Sequence, residues 1–145
     1  MKVDFYQLSR DPADIALAAL ARATLSAGER MLVVSAEAGL LAAIDTALWT
    51  QRPESFLAHG FAGGRDDERQ PILLSDTCEA ANGARFVALA DGRWRDEALG
   101  FERVFLLFDK ATIEDARARW RALDAAEGVE RRYWEQVGGK WEQRA

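Results

Sequence analysis

Cysteine is almost missing from the chain. Cys78 stands alone among 145 residues, so no disulfide can close within it. Histidine is equally scarce, and one thiol with one imidazole (His59) cannot build a usual structural zinc site. Carboxylates are plentiful, but none fall at calcium-loop spacing. Repeats, low-complexity segments and linkers are absent. No window approaches the ~18 apolar residues of a membrane span, and Asp4 interrupts any signal-like apolar start. These absences predict a soluble, cytoplasmic protein with no membrane contact, no metal and no cofactor. With 49% hydrophobic residues, the chain can bury a core as one domain over residues 1–145.

A basic surplus is lacking too. The net charge is −5, which disfavours broad contact with nucleic acid, since that needs a phosphate-neutralising surface. The charge is uneven. From Ala116 onward there are seven Lys/Arg and five Asp/Glu, a local surplus of two, which leaves −7 on the preceding residues. An acidic partner is therefore expected to meet the C-terminal part.

What is present is strand–helix alternation. Val3-Asp4-Phe5-Tyr6 reads as a first strand. Asp11-Pro12-Ala13-Asp14 reads as a helix start, with Asp11 as cap and Pro12 in the first turn. The helix runs through Ile15 to Ser26 and stops at Gly28. Met31–Val34 is a continuous apolar run, as in a strand covered on both faces, and Ser35 is placed to cap a second helix carrying Leu41, Ile44 and Leu48. A long connection spans residues 52–70. Ile72–Leu74, Phe86–Leu89 and Val104–Leu107 follow as strands, with a turn at Asn82-Gly83. Asp109 or Thr112 caps a last helix running to about Glu127. Tyr133 to Trp141, around Gly138-Gly139, reads as a hairpin in which Trp134 and Trp141 pack across the strands. The order predicts an α/β fold: a central, mainly parallel sheet with helices on both faces.

Such a fold invites an enzyme reading, which the motifs do not support. Neither G-x-x-x-x-G-K-[ST] nor a G-x-G-x-x-G after the first strand occurs, and Gly63-Gly64 is followed by the phosphate-repelling Asp66 and Asp67. No G-x-S-x-G surrounds a serine, and nothing in the spacing couples Cys78 to His59. No catalytic residue is expected.

Three ordered segments carry a family resemblance. The first is Leu48-Trp49-Thr50-Gln51-Arg52-Pro53-Glu54-Ser55-Phe56-Leu57-Ala58-His59. The second is Gln70-Pro71-Ile72-Leu73-Leu74-Ser75-Asp76, followed by Asn82-Gly83. The third runs from Glu102-Arg103-Val104-Phe105 through Leu107-Phe108-Asp109 and Ala116-Arg117-Ala118-Arg119-Trp120-Arg121 to Tyr133-Trp134 and Lys140-Trp141. Together with Val3-Asp4-Phe5-Tyr6, this set resembles the DNA polymerase III chi (χ) subunit family over nearly the whole chain. Ala58 departs from it, because many members carry proline there.

The resemblance implies a Rossmann-like, mononucleotide-binding-like fold without a phosphate loop. It also implies a non-catalytic accessory subunit of the bacterial DNA polymerase III holoenzyme. Similar proteins pair with the psi (ψ) subunit, which connects to the clamp loader. They hold the acidic C-terminal tail of single-stranded-DNA-binding protein, which ends in an aromatic residue with a free carboxylate, and so reach DNA indirectly. Arg117, Trp120 and Arg121 share one helix face by their i, i+3, i+4 spacing. Guanidinium groups suit a carboxylate and an indole suits a terminal ring. By resemblance these three form the tail-binding site, with Phe108 lining the same pocket. Trp49, Pro53 and Phe56 form the partner patch for ψ, and His59 is structural. The alternative is a module that binds single-stranded nucleic acid directly through Arg117, Arg119, Arg121, Trp134 and Trp141.

Overall fold

A computed structural model describes residues 1–51, 57–137 and 139–145. Among these, eight strands and three α-helices follow one another as β1 (Lys2–Gln7), α1 (Ala13–Ser26), β2 (Met31–Val34), α2 (Ala38–Thr50), β3 (His59–Phe61), β4 (Ile72–Ser75), β5 (Phe86–Leu89), β6 (Arg103–Phe108), α3 (Ile113–Leu123), β7 (Glu130–Val137) and β8 (Lys140–Gln143). The strands form one sheet in the order β3-β4-β2-β5-β6-β1-β7-β8. Only the β7–β8 pair is antiparallel.

The continuous apolar runs fall in the middle of the sheet because both faces are covered. Met31, Val33, Ile72, Leu74, Phe105 and Leu107 point to the face packed by α1 and α2. Phe5, Leu32, Val34, Leu73, Val87, Val104 and Leu106 point to the opposite face, where Ala116, Trp120 and Leu123 of α3 close the core. This is the α/β architecture expected, with helices on both sides. Among the described residues, no helix is long and apolar enough to cross a membrane.

Local details differ from the sequence reading. Asp11 does not cap α1, whose N-cap is Pro12. The Asp11 carboxylate instead accepts from Gln136 Nε2 at 2.9 Å, while Gln136 Oε1 takes the Arg10 and Asp11 N–H groups. Gln136 thus ties the first loop to β7. Ser35 lies before the N-cap Glu37 of α2, and its hydroxyl takes the Glu37 N–H at 3.0 Å. The connection after α2 contains β3, a short edge strand with only three residues to show a pattern. Helix α3 ends at Leu123, short of Glu127, where the chain turns to enter β7. The terminal hairpin is present, and β7 also extends the parallel sheet beside β1.

Candidate peptide-binding site

Helix α3 lies over β1, β6 and β7, and this places its buried face against aromatic rings from three strands. Trp120 meets Phe5 edge-on, with ring centroids 5.2 Å apart, and meets Tyr133 edge-on at 5.8 Å. Phe108 meets Tyr133 at 5.7 Å. Such edge-to-face contacts favour ring order beyond the area they bury. The Tyr133 hydroxyl donates to Gln7 Oε1. Burial pushes the Tyr133 phenol above its ordinary value, Arg117 pulls it back and Glu135 pushes it up.

The expected residues Arg117, Trp120, Arg121 and Phe108 occupy different depths. Arg117 and Arg121 are exposed, and Trp120 is partly buried. Phe108 is 1% exposed and touches the Tyr133 ring, so it backs the site and does not line an open surface. Arg117 pairs with Glu114 at 3.3 Å, one helical turn earlier. Arg121 has no ion pair among the described residues.

Arg131 and Tyr133 were not singled out by sequence reasoning. The Arg131 guanidinium carbon lies 4.1 Å from the Trp120 ring centroid, one nitrogen donates to the Trp120 carbonyl, and another pairs with Asp124 at 2.6 Å. Arg131 therefore covers one face of the indole and fixes its orientation. The result is an aromatic wall of Trp120 and Tyr133 rimmed by guanidinium groups, an arrangement suited to an apolar ring attached to a carboxylate.

The second expected patch lies at the far edge of the sheet. Trp49, at the end of α2, is 50% exposed and packs edge-on against His59 at 5.1 Å. Pro53 and Phe56 lie outside the described residues. The sequence reading gave His59 no acidic neighbour, but the fold brings Asp45 to 2.6 Å from its Nε2, and its Nδ1 bonds the Leu57 carbonyl at 2.7 Å. Its side chain is 1% exposed, which fits the structural role assigned to it. Phe61, two residues along β3 and so on the same strand face as His59, is 50% exposed. It adds a second large apolar group that the sequence did not single out.

The crevice where α/β sheets usually bind nucleotides is filled from within. Neighbouring β2 and β5 send their connections in opposite directions, which defines a switch point at their C-terminal ends. There the buried Asp91 carboxylate accepts from the Ala36 N–H at 2.9 Å and the Arg93 N–H at 3.2 Å, and from Arg95 through two bonds of 2.9 Å. Burial pushes this carboxyl up, yet Arg95 and the backbone N–H groups outweigh it and leave it below its ordinary value. A cavity of about 160 Å³ beside it also has Glu37 and Asp109 in its lining, acidic groups that repel phosphate. Burial also pushes the Cys78 thiol up, away from the thiolate form a nucleophile needs.

Trp134 and Trp141 are engaged in packing. Tyr6 stacks on Trp134 at 6.0 Å and meets Trp141 edge-on at 5.0 Å. The Trp134 indole N–H donates to Asp4 at 3.0 Å. These contacts occupy the rings that direct base stacking would use. The sequence profile of the family described as DNA polymerase III chi subunit, HolC, matches residues 1–130. No curated protein matches the chain.

Proposed function

From the premise that this chain belongs to the DNA polymerase III chi subunit family, a family of replication accessory subunits, we propose that it is an adaptor without catalytic activity of its own. On this reading it works in the cytoplasm and joins the ψ subunit, and through it the clamp loader, to single-stranded-DNA-binding protein. The acidic tail of that protein docks against α3. Arg117 pairs with the terminal carboxylate or an acidic side chain near it, and Arg121 adds positive potential. Trp120 and Tyr133 form the wall for the terminal ring, with Phe108 supporting Tyr133 from below. ψ docks at the Trp49 patch, to which Pro53 and Phe56 are assigned by resemblance.

The observation that carries the tail reading is the aromatic wall of Trp120 and Tyr133 with Arg117 and Arg121 exposed at its rim. Calorimetric titration with a tail peptide tests it. The wild-type protein binds, and binding weakens as salt rises, because exposed ion pairs contribute. Amidating the peptide C-terminus or deleting its last aromatic residue weakens binding strongly. Arg117→Ala costs about 1–3 kcal/mol, the range for charge-assisted hydrogen bonds. Unchanged binding when Arg117, Trp120 and Arg121 are all replaced by alanine, with circular dichroism intact, refutes the site.

A further inference from the structure

The flank of α3 turned away from Arg117 carries a second set of cationic and aromatic groups. Asp115, Ala118, Arg119 and Ala122 form one lip of a surface groove of about 490 Å³, and Arg93 and Trp94 of the β5–β6 connection form the other. The Arg119 guanidinium lies 5.1 Å from the Trp94 ring centroid. One oxygen of Asp96 accepts the Trp94 indole N–H at 3.0 Å and lies 3.9 Å from Arg119. An indole N–H and a guanidinium thus converge on a single carboxylate oxygen, and the carboxylate belongs to the chain itself.

That carboxylate is held from outside. Asp96 is 79% exposed and Arg119 beneath it 34%. The other flank repeats the arrangement, with Glu114 (81%) outside Arg117 (54%) and Asp124 (73%) outside Arg131 (23%). Exposed pairs of this kind are weak, so their carboxylates exchange readily. With Asp96 swung away, two guanidinium groups in the groove face one carboxylate, Asp115. Arg93 has no ion pair among the described residues. The vacated groove is therefore complementary to an acidic side chain.

We propose that the Trp94–Arg119–Arg93 groove is a second carboxylate subsite for an acidic peptide, occupied in the free protein by Asp96 and vacated when a peptide carboxylate takes its place. The inference rests on the reading that the Arg117 flank holds the peptide's C-terminal end. A helix with its side chains is ~10–12 Å across and an extended chain advances ~3.3 Å per residue, so about four residues cross α3. Ala118 and Ala122 keep that crossing low. The subsite then receives an acidic side chain about five residues before the peptide's terminal carboxylate.

The test uses the full chain and three synthetic peptides ending in an aromatic residue with a free carboxylate. The short peptide holds only the last four residues, the long one adds an acidic segment before them, and a control carries that segment as Asn and Gln. Calorimetry at fixed salt is expected to show the long acidic peptide binding about fivefold tighter than the other two, the scale of one exposed ion pair. Trp94→Phe, which keeps a ring but loses the N–H, and Arg119→Ala remove most of that gain and leave the short peptide unchanged. Asp96→Asn tightens the long peptide a few-fold. Glu142→Gln, the same change of charge at a pair on β8, does not. In a ¹⁵N–¹H spectrum the Trp94 indole signal, assigned by its loss in Trp94→Phe, moves with the long acidic peptide and not with the short one. Equal affinities for the three peptides, a Trp94 signal that stays put, or Asp96→Asn acting no differently from Glu142→Gln overturns the subsite and leaves the Arg117 site standing. If none of the peptides binds, the Arg117 reading fails first and this inference goes with it.

Discussion

A single carboxylate organises much of the sheet's first strand. Asp4 is fully buried in β1 and accepts from Arg103 Nε at 2.9 Å, Arg132 Nε at 2.7 Å and Nη2 at 3.1 Å, and Trp134 Nε1 at 3.0 Å. Burial pushes its carboxyl up, but Arg132, Trp134 and Arg103 together hold it below the ordinary value of 3.8. The same burial, with the Asp4 charge nearby, pushes the Tyr6 phenol up to about 12. Because the folded Asp4 value is depressed, its contribution to stability is complete above the ordinary value and is lost as pH falls through the folded one. Asp4→Asn is therefore expected to cost about 3 kcal/mol at pH 7, since it leaves two guanidinium groups uncompensated. The gap to wild type, read from urea unfolding at a series of pH values, narrows below pH ~4. A gap that stays constant down to pH 2 contradicts this account.

Elements differed in how far their residues announced them. β2, β4, β5 and β6 are legible because continuous apolar runs mark strands buried on both faces, and α3 because Asp109 and Thr112 offer a cap just before it. β3 is not, since His59-Gly60-Phe61 is too short to show a period. Half of the candidate site was hidden for a different reason. Arg131 and Tyr133 reach α3 only because β7 pairs in parallel with β1, and no local pattern encodes a pairing between Phe5 and Tyr133. The turn after β5 shows the same dependence on distant partners. Gly92 has φ +73°, and a Cβ there would lie 2.5 Å from the Thr112 hydroxyl oxygen and 3.1 Å from the Leu107 carbonyl. Gly92→Ala is expected to lower stability by about 2 kcal/mol or more in thermal unfolding. The change acts at the start of α3 and at the base of the Arg93–Trp94 loop. On the proposal that ψ docks at the opposite edge, Trp49→Ala and Phe61→Ala are each expected to weaken co-purification with ψ while circular dichroism shows the fold intact.

For the whole molecule, the architecture of nucleotide-binding proteins is present without their vacant crevice. Asp91 and Arg95 fill the switch point with a neutral pair whose carboxylate accepts four hydrogen bonds. Millimolar ATP or GTP is accordingly expected to leave the unfolding temperature unchanged, because a ligand that does not bind the folded state cannot raise it. A rise of several degrees that grows with nucleotide concentration speaks against the plugged crevice. The strand order has a consequence for synthesis. β1 is made before the other strands of the sheet, yet its neighbours are β6 and β7, which begin at Arg103 and Glu130. β2 and β4 have all their partners within Met31–Leu89, and β5 has one of its two there, the other being β6. β1 thus stays unpaired, with Asp4 uncompensated, until Arg103–Phe108 has been made. Long-range pairing of this kind is slow and leaves strand edges exposed to wrong partners. A chain that stops before Arg103 therefore leaves β1 open to proteases while β2 and β4 already have their partners, and β1 gains both its neighbours only once β6 and β7 have been made.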